Sequence, residues 1–189
     1  DRFSRKDGHL YLVGTDGWQS YAPENGSLQR IRWTGKDMVI PESVKTHKNG
    51  LIIRFNDFID PNSLDLDNAF AAQWNYLYSG AYGSPEYSVR NPGITGHDPV
   101  KIRSLHALKD GKSIFVEIPQ LHPVMQFHLY LELKTRDGGA FKPDIYYSIF
   151  HQDKEFTDFP GYQKIAKKEW NNFPHPDESP VDPRLLAQD

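Results

Sequence analysis

The chain has 189 residues, a formal net charge of −3 and no cysteine. That length can bury a core without covalent staples. The missing cysteines exclude disulfides, zinc–thiolate sites, cysteine nucleophiles and c-type haem attachment within the chain. The charge leaves no electrostatic footprint for nucleic acid, and no apolar run approaches the ~20 residues of a membrane span. There is no recognisable signal peptide. The chain begins at Asp1, not Met, which leads us to expect a processed product or an excised piece of a larger protein.

Residues 1–39 read as a strand–loop–strand segment. DGHLYLVG supplies a short strand around Leu10 and Leu12, TDGWQSYAPENG a turn-rich loop with Asn25-Gly26, and SLQRIRWTG a second strand. In the second strand Leu28, Arg30 and Arg32 alternate with Gln29, Ile31 and Trp33.

Residues 40–150 read as a sandwich. Ser43–His47 and Leu51–Phe55 flank Lys48-Asn49-Gly50, a strong hairpin signal, with Leu51, Ile53 and Phe55 expected in the core. Asp60-Pro61-Asn62-Ser63 suits a turn or one helical turn with Pro at its first position. From Phe70 to Tyr78 the pattern alternates again. It predicts Phe70, Ala72, Trp74, Tyr76 and Tyr78 on one face and Gln73, Asn75 and Leu77 on the other. Residues 79–99 form the longest irregular stretch, punctuated by Gly and Pro.

After a strand candidate at 100–108, DGKSIFVEIPQLHPVMQFHLYLEL forms two strands joined by a proline-bracketed crossover. Ile114, Val116 and Ile118 lie on one face of the first strand. In the second, Phe127, Leu129, Leu131 and Leu133 oppose a wet face of Gln126, His128, Tyr130 and Glu132. DIYYSIF, 144–150, is the last strand. About seven strands at sandwich spacing predict an all-β, immunoglobulin-like β-sandwich. Residues 151–189 read as an irregular, linker-like tail with a short helix over Gln163–Trp170.

Four segments carry a family resemblance: GSLQRIRWTGK, HKNGLIIRFNDFIDPNSLDLDNAFAAQWNY, YGSPEYSV and DGKSIFVEIPQLHPVMQFHLYL. Together they resemble the region after a glucose/sorbosone-dehydrogenase-like β-propeller in large secreted bacterial proteins that often carry a c-type cytochrome domain. The resemblance implies that residues 7–35 are the last propeller strands, residues 40–150 an immunoglobulin-like domain, and the rest a linker. It also implies an extracytoplasmic location, with propeller and cytochrome c domains as neighbouring partners. It carries over no catalytic residue and no cofactor. The expected role is a non-catalytic accessory domain. The alternatives are a carbohydrate-binding module or a fragment of a sugar-oxidising enzyme.

Several residue groups are candidates for chemistry. Trp18, Trp74, Tyr82 and Tyr87 are candidate sugar-binding aromatics, along with Tyr76 and Tyr78; the opposing reading makes Trp74 and Tyr76 core and Tyr82 and Tyr87 packed loop anchors. Asp60, Asn62, Asp65 and Asp67 form an oxygen-rich run that could serve a structural calcium, but its spacing is not that of an EF-hand, and such residues also cap turns. His122 and His128 flank Met125, a ligand set suited to copper or a haem neighbour if the three converge. His97-Asp98 next to Glu86 resembles an acid/base pair on paper, with Asp98 before Pro99 also suiting a turn and no serine nucleophile in place.

Overall fold

The computed structural model describes residues 2–15, 26–77 and 83–168. The chain divides into two compact units, Asp1–Met38 and Val39–Asp189. The first unit is a three-stranded antiparallel sheet of β1 (Arg2–Phe3), β2 (Leu10–Thr15) and β3 (Gly26–Ile31), with β2 in the centre. Val13 pairs with Leu28, and Leu10 with Ile31. Val13, Leu28 and Ile31 all stay exposed, because so small a sheet cannot bury both of its faces.

The second unit contains β4 (Pro41–His47), β5 (Gly50–Phe55), β6 (Ala69–Tyr76), β7 (Glu86–Tyr87), β8 (Asp98–Pro99), β9 (Ser104–Ala107), β10 (Ser113–Glu117), β11 (Val124–Leu131), β12 (Leu133–Lys134), β13 (Ala140–Phe141) and β14 (Asp144–Ile149). One sheet has the order β4-β5-β10-β9. The other has the order β14-β11-β6-β7, with β8 also on β6. Every named pairing is antiparallel.

One buried cluster joins the two sheets. Leu51, Ile53, Phe55, Ile114 and Val116 come from the first, and Ala71, Phe127, Leu129, Leu131 and Ile149 from the second. This is a β-sandwich, and the residues facing its interior on β5, β10 and β11 are those the alternation predicts. The predicted Asn-Gly hairpin joins β4 to β5. A side chain at Gly50 would put its Cβ 2.1 Å from the Val116 carbonyl oxygen and 2.8 Å from the Phe115 ring, so the close approach of β10 requires glycine.

On β10 both faces are buried. Phe115 and Glu117 point out of the sandwich yet are almost fully covered. The cover is the C-terminal segment, and here the linker-like reading of 151–168 needs correction. Thr46 donates to the His151 carbonyl, and Asp153 exchanges backbone hydrogen bonds with Thr46 and Lys48. The Asn49 side chain donates to the Phe156 carbonyl and accepts from its N–H, both at 2.8 Å. The Phe156 and Phe159 rings then sit 4.9 and 4.8 Å from the ring of Phe115. The segment continues as an extended strap through Gln163, hydrogen-bonded to Arg103, to Lys168, whose N–H meets the Gln120 side chain. The helix expected from Gln163 is absent over 163–168; bonds to Arg103 and Gln120 anchor this stretch instead.

Asn49→Ala removes both side-chain bonds to Phe156 and leaves two backbone groups to be solvated. We expect a loss of about 2 kcal/mol in urea unfolding, with faster amide exchange over 154–160 than in the parent chain.

Candidate functional site

The outer face of the β14-β11-β6 sheet carries the candidate site. Directly paired residues on antiparallel strands share a face. Phe70, Ala72 and Trp74 of β6 pair with Tyr130, His128 and Gln126 of β11, and His128 and Tyr130 pair with Tyr146 and Asp144 of β14. The wet face predicted for β11 is therefore shared by the aromatic face of β6. This decides between the two readings of the aromatic face of β6, which points outward. Ala69 and Ala71 pack inward, Gln73 and Asn75 share their side of the strand, and Phe70 and Tyr76 are exposed. Bulky Phe127 and Leu129 on β11 fill the core opposite Gln73 and Ala71, so small residues suffice there.

The outward rings form a continuous strip. Phe70 meets His128 edge-on at 5.7 Å, His128 stacks on Tyr146 at 4.3 Å, and Tyr146 meets Trp74 edge-on at 6.3 Å. Trp74 in turn stacks against His97 at 3.8 Å with an interplanar angle of 10°. Each histidine is held by a carboxylate, His128 by Asp144 at 2.5 Å and His97 by Glu86.

His97 is positioned by a clamped loop. Buried Asp98 accepts hydrogen bonds from the Ser88 hydroxyl and from the backbone N–H groups of Val89 and Arg90, at 2.7–2.8 Å. Gly96 donates its N–H to the Glu86 carbonyl. This closes residues 86–98 over the edge of β6 and sets the His97 ring on Trp74. Beside it lies an open groove of about 370 Å3, lined by Trp74, Tyr76, Ser84, Glu86 and Gln126, with Gly83 at its edge. The groove combines aromatic surface with a carboxylate, an amide and a hydroxyl. That is the chemistry that holds a polyhydroxylated ligand, with rings against its C–H faces and polar groups on its hydroxyls.

The expected site residues fare differently. Trp74 borders the groove but is 7% exposed, since His97 occupies its face, and Tyr87 is 9% exposed and acts as a loop anchor. Neither presents a free ring. Trp18, Tyr78 and Tyr82 lie outside the described residues. Among the described residues of this outer face, Tyr76, Phe70 and Tyr146 are the exposed rings. Tyr146 was missed because DIYYSIF reads only as a closing strand; its pairing with His128 reveals its place.

Asp60 and Asp65 each cap a short 3-10 turn, accepting from the N–H of Asn62 and of Asp67. Asp65 also accepts from the Asn68 side chain. Among the described residues, no group of three or more His, Cys, Asp or Glu is placed to hold a metal ion.

His122 and His128 have different surroundings, and Met125 is buried, its sulfur accepting the Tyr76 N–H. His122 sits on the crossover near Lys167. Burial, reinforced by the Lys167 charge, pushes its pKa from 6.5 down to about 4. Burial also lowers Lys167, to about 8, aided by Lys48 and opposed by Glu155.

No family model, curated protein or solved structure matches the chain.

The His122 shift has a definite sign. Between about pH 6.5 and 4 the unfolded chain binds a proton that the native chain refuses, so stability falls as pH drops through this window and levels off below it. Urea midpoints should follow that slope, and His122→Gln should flatten it. An unchanged slope in the variant would contradict the assignment.

Proposed function

We propose that the chain is a non-catalytic accessory β-sandwich of immunoglobulin type, binding its target through the outer face of the β14-β11-β6 sheet. The observation that carries this reading is the asymmetry of the two sheets. The strap covers the Phe115 region on the outer face of β10, while the opposite sheet keeps Phe70, Tyr76 and Tyr146 exposed on its outer face. The strand orders support the immunoglobulin part. Taking β4, β5, β6, β9, β10, β11 and β14 as A to G gives A-B-E-D against G-F-C, the arrangement of that fold.

The favoured ligand is carbohydrate, held at the groove by Tyr76 and the edge of Trp74, with Glu86 and Gln126 as hydrogen-bonding groups; the Ser84 hydroxyl is tied to Leu77 and Pro85. The setting, an extracytoplasmic protein with propeller and cytochrome neighbours, rests on the sequence resemblance. The exposed Val13, Leu28 and Ile31 of the first unit agree with a sheet that is completed by a neighbouring domain.

Affinity electrophoresis through gels containing different polysaccharides tests the binding role. Retardation by at least one glycan is expected, weakened about tenfold by Tyr76→Ala. No retardation on any glycan, or retardation unchanged in Tyr76→Ala, would contradict carbohydrate recognition at this groove.

A further inference from the structure

The outer face of the β14-β11-β6 sheet repeats one arrangement at three stations. Each has an exposed ring beside an accessible carboxylate that a neighbouring side chain holds. At the groove the ring is Tyr76, and the carboxylate is that of Glu86, its partner across the β6–β7 pairing, held by His97. In the middle the ring is Tyr146. Asp144 lies two residues away on the same face of β14, and His128 stacks on the ring while donating to that carboxylate at 2.5 Å. At the far end the ring is Phe70, paired across the strands with Tyr130. The Tyr130 hydroxyl and the Lys142 ammonium each donate to Glu132, both at 2.8 Å.

Ring contacts join the stations. Trp74, beside the groove, meets Tyr146 at 6.3 Å between ring centres, and His128 meets Phe70 at 5.7 Å. Phe70 and Tyr76 both lie on β6, separated by a span of about 20 Å at the rise of a β-strand. One sugar unit covers a single station, where ring surface meets its C–H face and a fixed carboxylate accepts from its hydroxyls. Stations that repeat select a ligand that repeats.

Building on the carbohydrate reading above, we propose that the ligand is a polysaccharide chain, bound through several consecutive sugar units that run from the Tyr76 groove past Tyr146 to Phe70. Phe70, Tyr146, Asp144 and Glu132 then bind ligand in addition to the groove residues, and they set the preference for chain length.

Isothermal titration calorimetry with cello-, manno-, xylo- and malto-oligosaccharides tests this, each series as the disaccharide and the hexasaccharide. In at least one series the hexasaccharide should bind at least about tenfold more tightly, because it fills further stations. Phe70→Ala and Tyr146→Ala should each cut that advantage about fivefold, with the urea midpoint nearly unchanged. If one variant disturbs its neighbours, the other decides. An advantage undiminished in both variants would overturn the extended site, since a short site offered several registers on a longer chain gives the same gain. Equal binding of disaccharide and hexasaccharide would overturn it too, as would the absence of binding in every series. In each of these cases Tyr76-dependent retardation by a polysaccharide would still leave the groove itself as a carbohydrate site.

Discussion

Phe115 points away from the sandwich core, and covering it constrains the architecture around it. Its neighbours on β10, Ile114 and Val116, face the core; period-2 alternation forces Phe115 to the opposite side. A phenyl ring there would be exposed apolar surface unless something lay across it. Phe156 and Phe159 supply that cover, His106 packs on Phe159, and Asn49 fixes the segment by a reciprocal pair of hydrogen bonds. The course of the strap across β10 follows from that requirement.

The consequence for function is a division of labour between the sheets. The centre of one outer face, at Phe115 of β10, is covered by the chain's own C-terminal segment. The other retains rings arranged across three strands, with histidines fixed by carboxylates. A stacked His128–Tyr146 pair and a His97–Trp74 pair make a rigid surface at low entropic cost. Glu86 and His97 are brought together, and the pair holds the His97 ring on Trp74.

Much of the fold was legible in the residues, because inward positions on β5, β10 and β11 are strictly alternating apolar. The Asn-Gly hairpin and the Asp60 cap were legible for the same local reason. The orientation of β6 was not. Phe70, Trp74 and Tyr76 look like a core face by size, and only their register with His128 and Tyr130 puts them outside. The strap was also hidden. Its composition is polar and proline-rich, and the two rings that anchor it, Phe156 and Phe159, follow no period. Its partner Phe115 lies about forty residues earlier, a non-local pairing that no local pattern encodes. The site suffered likewise, since Tyr146 acquires its meaning from a strand pairing and Trp74 loses its free face to a loop histidine.

The most direct test is hydroxyl-radical footprinting of the folded chain, read ring by ring. Phe115 and Phe159 should be protected as strongly as the core residue Phe127, while Phe70 and Tyr146 label rapidly. Labelling of Phe115 at a rate comparable to Phe70, ring for ring, would contradict the sealed face and with it the asymmetry on which the functional reading depends.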